Sequence, residues 1–394
     1  MIGRQTCGLS STHEQLRTGT RALPPCEVTA VDGSLVLSQT LPLLGKRYKF
    51  IRNVGHGTFS QILLCKDTYA VDSDDQPRPG CAQVVAIKVM NRKYGAIGVQ
   101  ELEMLRFLNS RDTGDCAHLA RVVSAFDFYG HFCIVMKRLG SSLLALQRNW
   151  STPRSLLPSV APHAFLAPLR KLSVQVLSSL LYLERSGVIH ADIKPENILS
   201  DDLRDRHDCP TGSDLKASME HATLRAGRFR LIDFGNSMLC ENAPMYYDDF
   251  EVQSLCYRAP EVLLGLPFGP PIDMWSFGCV LAELVTGSAL FIGKNRRELL
   301  TKMANLLGPL PVAVFAKAKF FPVFNAEEPG QFSRVDLDNT PGGKDIWELR
   351  RAKLKEHLGR KDMPLVDFLD RSVCHCTVTV VQLFRPSMSQ VLAV

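Results

Sequence analysis

The sequence lacks a long uninterrupted hydrophobic run, a leader and a dense basic cluster. Its longest apolar stretch, Met274 to Ile292, contains Glu283 and glycines, so no membrane span is predicted. The first residues, Met1 to Gly19, are polar and do not contain the apolar core of a signal peptide. The net charge of +6 over 394 residues is mild. Without a compact Lys/Arg run, it does not indicate direct nucleic-acid binding.

The twelve cysteines do not form the paired pattern of a disulfide-stabilised scaffold. Cys374, His375 and Cys376 are the only tight Cys/His group, and no second pair stands near them at zinc spacing. We therefore expect buried thiols rather than a metal site there. Cysteine usage and the missing leader favour a soluble intracellular protein, cytoplasmic, nuclear or both, with reduced thiols. We expect a monomer.

What the sequence does contain is the composition of a folded chain, with 45% hydrophobic and 22% charged residues. Residues 1–46 mix Ser, Thr, Pro and Gly without a dominant period. They predict an extension that is partly disordered or draped on the domain. From residue 47 onward the pattern becomes strand-like. A charged stretch at 200–228 is predicted to be an exposed insertion.

The most informative stretch is an apolar pair at 188–189 followed by a polar loop with His190, Asp192, Lys194 and Asn197. Phosphoryl transfer requires aligned reactants and neutralised charge rather than covalent work by the protein, and these residue types can supply both. A His-x-Asp pair alone has little specificity, because His and Asp occur together in many solvated loops.

A second motif, Asp-Phe-Gly at 233–235, raises the specificity of the first. Together the two motifs resemble the catalytic loop and the metal-binding loop of protein kinases. The resemblance implies that Asp192 accepts the proton of the substrate hydroxyl and that Lys194 lies near the transferred phosphoryl group. It also implies that Asn197 and Asp233 hold Mg²⁺ against the phosphates of ATP.

A strand–turn–strand pattern with glycines occurs earlier in the chain. Glycine allows backbone amides to approach phosphate, although an ordinary hairpin turn is the simpler explanation of this motif alone. A dinucleotide-binding loop is excluded because a strand follows and because Ser60 stands where the third glycine would be. In the kinase resemblance this is the loop that covers ATP. The residues then expected to bind the nucleotide are Val54, Gly55, His56, Gly57, Thr58, Phe59, Ser60, Gln61, Ile62, Ala86, Lys88, Met136 and Leu139.

One lysine, Lys88, interrupts an apolar run at 84–89 that predicts a buried strand. A buried charge is costly without a partner, although a lysine that reaches solvent from an edge strand is the alternative. On the helix predicted over Ile97 to Asn109, Glu101 and Glu103 both lie at a suitable distance along the chain. Leucines four and seven positions after Glu101 place it beside the apolar face. Glu101 is therefore the predicted partner, and Glu103 is predicted to be solvated.

The assembled motifs resemble the eukaryotic protein kinase superfamily over residues 47–394. The resemblance implies an α+β, bilobal protein kinase fold. It divides into a small β-rich N-lobe with one key helix at 47–136, a hinge at 137–140 that offers backbone groups to adenine, and a larger, mainly helical C-lobe at 141–394.

Motifs at 257–262 and 271–276 are similar to the CMGC group. His-Ala-Asp at 190–192, Phe291 and Leu-Leu-Gly-Pro at 306–309 resemble one branch of that group. That branch holds the dual-specificity tyrosine-regulated, homeodomain-interacting, CDC-like and pre-mRNA-processing kinases. The resemblance implies an enzyme that uses ATP and Mg²⁺ to phosphorylate Ser/Thr in protein substrates, and some relatives also autophosphorylate on tyrosine.

The activation segment departs from the usual pattern of that branch. Relatives carry a phosphorylated tyrosine and an arginine that binds the phosphate, but Glu251 and Leu255 stand at these positions. Ala191 replaces another arginine that grips such a phosphate in many kinases. We therefore predict that no phosphate switch operates in this segment. Ser60, Leu255 and a short C-terminal end also leave an alternative function, that of a pseudokinase that binds nucleotide or partners without efficient transfer.

Two further contacts are predicted in the C-lobe. Asp273 opens an apolar helix and is expected to bind backbone amides of the catalytic loop. Arg385 is expected to form a buried ion pair with Glu261, which would fix the end of the activation segment. A surface position for Arg385 is the alternative.

Overall fold

The computed structural model describes residues 29–37, 41–69, 84–148, 162–201, 227–247, 252–307, 310–311, 315–327 and 332–333. The chain divides into two compact units, residues 1–102 with 121–138 and residues 103–120 with 139–394. The predicted hinge at 137–140 therefore contains the passage of the chain from the first unit to the second. Predictions for Glu251, Arg385, the Cys374 group and most of the insertion concern residues outside the described ranges.

The first unit is built on a five-stranded antiparallel sheet in the order β1-β2-β3-β5-β4. Its strands are β1 (Tyr48–His56), β2 (Ser60–Asp67), β3 (Val84–Met90), β4 (Val122–Phe128) and β5 (His131–Lys137). Valine, isoleucine and aromatic residues favour the pleated conformation in these segments. Alternation along β3 separates Val85, Ile87 and Val89 on one face from Ala86 and Lys88 on the other.

Both faces of the central strands are buried, so each face must be covered by another part of the chain. On the face of Ile87, part of the cover comes from Leu35 and Leu44, which lie in the segment assigned from sequence to the N-terminal extension. This face holds a continuous apolar cluster made of Leu35, Leu44, Tyr48, Leu63, Cys65, Val85, Ile87, Val89, Phe128, Cys133 and Val135.

Helix α1 (Gly95–Arg111) follows β3 after a 3₁₀ turn at Arg92–Tyr94. Gly98 allows the helix to approach the sheet closely. A Cβ at this position would lie 2.6 Å from Cγ of Met90 and 2.8 Å from Cδ1 of Phe132, so any larger residue would force the helix or these side chains to shift.

The second unit is mainly helical. Its helices are α2 (Leu143–Arg148), α3 (Pro162–Arg185), α4 (Pro260–Leu264), α5 (Pro271–Thr286), α6 (Arg296–Leu307) and α7 (Phe321–Glu327). Short strands pair β6 (Val188–Ile189) with β9 (Met238–Leu239), β7 (Ile198–Ser200) with β8 (Phe229–Leu231), and β10 (Leu310–Pro311) with β11 (Phe332–Ser333).

Helix α5 is the core of the second unit. It is buried on nearly all sides, which explains why its sequence is apolar throughout rather than amphipathic. Pro271 occupies its first position, where no backbone donor is needed, and Gly287 ends it at φ +79°. Within the described ranges, no helix combines the length and apolarity needed to cross a membrane.

The predicted insertion leaves and re-enters the fold at one point. The Asp201 N–H donates to the Arg228 carbonyl at 2.6 Å, and Arg230 Nε donates to Oδ1 of Asp201 at 2.6 Å. Arg230 is buried and also forms a two-pronged contact with Asp115, with both distances 2.6 Å. The hydrogen bonds from Arg230 to these carboxylates raise the pKa of its guanidinium. A buried arginine thus joins the described residues on either side of the predicted insertion.

Candidate active site

Lys88 and Glu101 form a buried ion pair in the first unit. Nζ of Lys88 lies 2.7 Å from Oε2 and 2.9 Å from Oε1 of Glu101. The two residues are 7% and 1% exposed, whereas Glu103 is exposed. The structure therefore brings together the pair that the sequence predicted. The two-oxygen contact offsets the desolvation of both charges.

The glycine-rich loop is the tight turn between β1 and β2. The Gly57 N–H donates to the Ser60 carbonyl at 2.8 Å, which closes the turn. Asn91, just after β3, binds the tip of the loop: its N–H donates to the Phe59 carbonyl at 2.9 Å and its Nδ2 to the Thr58 carbonyl at 3.2 Å. The loop is thus held from the neighbouring strand.

The other predicted nucleotide-binding residues lie on either side of this turn or deeper in the sheet. Val54, Gly55 and His56 end β1, while Gln61 and Ile62 begin β2. In the register of β3 with β5, Ala86 is opposite Met136, on the same face as Lys88. Leu139 belongs to the second unit.

Four side chains of the second unit contact the carboxylate of Asp192, and the longest of these contacts is the 3.5 Å hydrogen bond from Asn236 Nδ2 to Oδ2. Its Oδ1 accepts a hydrogen bond from Ser254 Oγ at 2.7 Å, and its Oδ2 accepts one from Lys194 Nζ at 2.7 Å. Asn197 Nδ2 donates to the Asp192 carbonyl at 2.9 Å and to Oδ2 at 3.2 Å. Lys194 Nζ also donates to Ser254 Oγ at 3.1 Å. Both oxygens of the carboxylate are therefore fixed in direction.

The backbone before Asp192 is strained and tied down. Ala191 has φ +64°, a left-handed conformation that costs a non-glycine residue about 1 kcal/mol or more. Asp273 accepts hydrogen bonds from the His190 N–H at 2.7 Å and the Ala191 N–H at 2.9 Å. Burial raises the pKa of Asp273, and these two amides oppose that rise. The predicted contact of Asp273 with the catalytic loop is confirmed.

His190 joins the two motifs. Its Nδ1 accepts the Asp192 N–H at 3.2 Å, and its Nε2–H donates to the Ile232 carbonyl at 3.0 Å. The Ile232 N–H in turn donates to the Asn197 carbonyl at 3.0 Å. The next residue, Asp233, turns sharply with φ +64°. These contacts fix the metal-binding loop against the catalytic loop.

The donor set at Asn197 and Asp233 suits Mg²⁺. Both side-chain hydrogen bonds of Asn197 use Nδ2 as the donor, so its amide oxygen is the atom suited to a cation. One carboxylate and one amide oxygen are typical ligands of Mg²⁺, which keeps several waters and binds phosphate oxygens. In the part of the chain that the structure describes, no three His, Cys, Asp or Glu residues form a metal-binding group.

A family model described as "Protein kinase domain" matches residues 48–309. The chain belongs to the protein kinase family. Serine/threonine-protein kinase ppk5 of Schizosaccharomyces pombe is 37% identical over 270 residues, which are 68% of this chain and 27% of that protein. Serine/threonine-protein kinase AFC3 of Arabidopsis thaliana is 34% identical over 303 residues, covering 75% of this chain and 68% of that protein.

Human dual specificity protein kinase CLK4 is 29% identical over 290 residues, which are 72% of this chain and 54% of that protein. These relatives agree with the CDC-like branch that the motifs indicated. The chain thus spans about a quarter of ppk5 and about half of CLK4. A crystal structure of a kinase domain shares the fold with a TM-score of 0.64 and 23% identity, covering 91% of this chain and 97% of that chain.

Gln253 anchors the end of the kinase activation segment. It has φ +67° and is buried. Its Nε2 donates to the Ile272 carbonyl at 2.8 Å and to Ser276 Oγ at 2.7 Å, while its Oε1 accepts the Ala259 N–H at 2.9 Å. Arg258 donates to the Gln253 carbonyl at 2.9 Å. The segment is therefore bound to α5 through uncharged groups.

Two carboxylates that follow the activation segment in the chain, those of Glu261 and Glu283, are buried. Glu283 accepts a hydrogen bond of 2.7 Å from the Tyr257 hydroxyl, and burial raises the pKa of both groups. Glu261 is fully buried, and burial raises its pKa to about 7. Among the described residues it forms no ion pair, and its Oε1 has no hydrogen-bond donor. Its predicted partner, Arg385, lies outside those residues.

Ser254 and Gln253 are site residues that the sequence analysis did not assign. Their only signal in the sequence is the Gln-Ser pair shortly before Tyr-Arg-Ala-Pro-Glu in the activation segment. Neither residue belongs to a motif with chemistry of its own, so their contacts become visible only in the folded chain.

Proposed function

We propose that this kinase domain transfers the γ-phosphoryl group of ATP to serine or threonine residues of protein substrates. The observation that carries the proposal is the Asp192 carboxylate, whose two oxygens are directed by Ser254 and Lys194. A general base must be fixed within reach of the proton that it accepts, and an unsupported surface aspartate is not. The relatives are named as serine/threonine and dual-specificity kinases, which supports this class of reaction.

In the proposed reaction, Asp192 accepts the proton of the substrate hydroxyl as its oxygen bonds to the γ-phosphorus. The bond from that phosphorus to the bridging oxygen of ADP breaks, and the electron pair leaves with ADP. Lys194 offsets negative charge on the transferred group, while Lys88, held by Glu101, binds the α- and β-phosphates. Asn197 and Asp233 would hold Mg²⁺, which neutralises phosphate charge when it is bound.

The test is transfer of labelled phosphate from ATP to a generic basic protein. Wild-type protein should label the substrate, and Asp192→Asn should slow transfer by on the order of a hundredfold or more while nucleotide binding remains. Wild-type transfer no faster than that of Asp192→Asn would reject the proposal and support the pseudokinase alternative.

A second comparison separates metal binding from proton transfer. Asp233→Asn should weaken nucleotide binding in the presence of Mg²⁺ and change it little in the absence of Mg²⁺, because the substitution removes the negative charge with which the carboxylate attracts the cation. Asp192→Asn should bind nucleotide normally in both conditions. Equal loss of binding in the two variants would contradict this division of roles.

A further inference from the structure

Residues 29–37, the N-terminal strap, form a small turn on the first unit. Thr29 and Leu35 face each other in an antiparallel bridge. Leu35 is 2% exposed within the apolar cluster of the sheet, whereas Val31, on the same turn, is fully exposed. Burial of the leucine side chain removes apolar surface from water, so this contact holds the turn on the sheet.

Two links join the strap to the last residue of β3 and to the residues that follow it. The Arg92 N–H donates to the Gly33 carbonyl at 3.0 Å. His131 Nδ1 donates to the Met90 carbonyl at 2.9 Å, because a carbonyl can only accept. Burial lowers the pKa of His131. The neutral ring therefore accepts the Thr29 hydroxyl at Nε2, at 2.9 Å.

The same segment holds the glycine-rich loop. We define residues 90–94 as the β3–α1 junction. Asn91 in this junction binds the Phe59 and Thr58 carbonyls. The ring of Phe59 also packs edge-on against Tyr94, with centroids 4.8 Å apart.

The junction is equally close to the helix that carries Glu101. Its 3₁₀ turn runs directly into α1, and Met90 lies against Gly98 of that helix. One five-residue segment therefore contacts the strap, the glycine-rich loop and the start of α1. A shift of this segment would therefore also shift the strap, the glycine-rich loop and the start of α1, because the contacts on each side are tight.

We propose that the N-terminal strap positions the nucleotide-binding elements of the first unit. Through the β3–α1 junction, Thr29, Gly33 and Leu35 hold the glycine-rich loop and α1 in the arrangement that binds ATP. These are positioning residues, because each acts through the junction. The catalytic consequence rests on the proposed kinase activity, whereas the effect on the loop does not.

The physical basis is preorganisation. Much of the glycine-rich loop is exposed and makes few buried contacts, so it is free to open locally unless it is anchored. A loop that is already ordered loses less conformational entropy when it binds phosphate, and its affinity is correspondingly higher. If the strap only covered the apolar face of the sheet, the contact of Leu35 would be sufficient and no polar link to the junction would be needed. The links through Thr29 and Gly33 reach polar groups at the end of β3.

The test uses the full chain with four substitutions. Thr29→Val removes the hydroxyl at nearly constant shape, and Leu35→Ala removes the apolar anchor. Leu35→Met restores volume, and Val31→Ala is a matched control on the exposed side of the same turn. Hydrogen–deuterium exchange at Gly57 and Asn91, KM for ATP, kcat and the melting temperature are measured for each.

We expect exchange at Gly57 and Asn91 to accelerate about tenfold in Thr29→Val and in Leu35→Ala, the effect of losing one hydrogen bond or more. KM for ATP should rise several-fold, with a smaller change in kcat. Amides of α5 should be unaffected, and Leu35→Met and Val31→Ala should resemble the wild type. Unchanged exchange at both amides in Thr29→Val and Leu35→Ala would overturn the proposal. So would acceleration spread evenly over both units with a lower melting temperature.

Failure of the proposed function has a different signature. If no variant and no wild-type protein transfers phosphate, the exchange pattern alone still decides the role of the strap. Asp192→Asn should slow transfer by on the order of a hundredfold or more and leave exchange at Gly57 and Asn91 unchanged. An altered exchange pattern in that variant would show that the loop is not controlled from the strap and would also overturn the proposal.

Discussion

Ser254 Oγ donates a hydrogen bond of 2.7 Å to Oδ1 of Asp192, across 62 positions of the chain. The activation segment thus reaches the carboxylate proposed as the base and shares Lys194 with it. A charge-assisted contact of this kind is shorter and stronger than one between neutral groups. The orientation of the proposed base therefore depends on the activation segment being ordered.

Ser254→Ala should reduce kcat by roughly tenfold to a hundredfold, the range expected for a hydrogen bond to a charged group. Nucleotide affinity should change little, because the contact concerns the base. Steady-state kinetics with a protein substrate provide the measurement. Ser254→Thr keeps the hydroxyl and should recover most of the rate, while Ser178→Ala is the control, at a half-buried position of α3 where the hydroxyl donates only to the Val174 carbonyl of the same helix. Full activity of Ser254→Ala would show that the contact does not orient Asp192.

Lys88→Met should lower kcat/KM by on the order of a hundredfold or more, since one preorganised charge on the phosphates is lost. Glu101→Gln should act in the same direction, because it leaves Lys88 without its counter-charge in a buried site. Glu103→Ala is the matched control on the same helix and should be silent. Near-normal turnover of Lys88→Met together with an inactive Glu103→Ala would reverse the assignment.

The activation segment is expected to need no phosphate. A segment that is held by phosphate requires arginines to receive it, and the kinase resemblance places Leu255 and Ala191 at two positions where such arginines are expected in other kinases. In their place, Gln253 binds the segment to α5 by uncharged hydrogen bonds. Phosphatase-treated protein should therefore keep its activity, and Gln253→Ala should lose most of it.

Tyr246 and Tyr247 lie a few residues earlier in the activation segment and are the competing candidates for a phosphorylated residue. Replacing them therefore tests that expectation. The Tyr247 hydroxyl donates to the Phe268 carbonyl at 3.2 Å, so Tyr247→Phe should cost about 1 kcal/mol of stability without loss of turnover. The double variant with Tyr246→Phe should remain active in the same assay. Inactivation by phosphatase, or by these two substitutions, would reveal a phosphate switch.

Glu261 predicts a pH dependence of stability. Burial raises the pKa of this carboxyl from its ordinary value of 4.5 to about 7, so the folded state holds a proton that the unfolded state has released between these values. The free energy of unfolding should therefore be highest below pH 4.5 as far as this group is concerned. It should fall by roughly 3 kcal/mol as the pH rises through 7.

The measurement is denaturant unfolding between pH 5 and pH 8 for the wild type and for Glu261→Gln. The substitution should remove the decline, because the amide does not titrate. If Arg385 instead pairs with a charged Glu261, the decline will be missing in the wild type. Glu261→Gln and Arg385→Gln will then each destabilise the fold, with a strong coupling between them.

The two kinase-like motifs could be recognised from sequence because their information is local, and the catalytic and metal-binding roles of their residues stay predictions. His190, Asp192, Lys194 and Asn197 all lie in one loop. Their order and spacing match the catalytic-loop motif of protein kinases, which can be found in the sequence alone. The pairing of Lys88 with Glu101 was also predictable, because strand alternation and helix periodicity each assign a side chain to one face. The match to the kinase family model confirms the fold that these motifs implied.

Two other features, the burial of Leu35 and the contact of Ser254 with Asp192, could not be predicted, because each joins segments that are distant in the sequence. Residues 29–46 have no period, and Leu35 is buried only because β2, β3 and β5 present an apolar face that needs a cover. The contact of Ser254 with Asp192 requires the whole activation segment to return to the catalytic loop.

By itself, the sequence determined which chemical groups this protein carries and how they are spaced within each loop, strand and helix, because local spacing is set by backbone geometry. Only the tertiary structure decided that the strap reaches the β3–α1 junction, that Ser254 binds Asp192 and that Glu261 is buried. Such contacts join distant segments. They follow from how complete faces pack and from which polar groups remain to be satisfied, and both are properties of the folded chain as a whole.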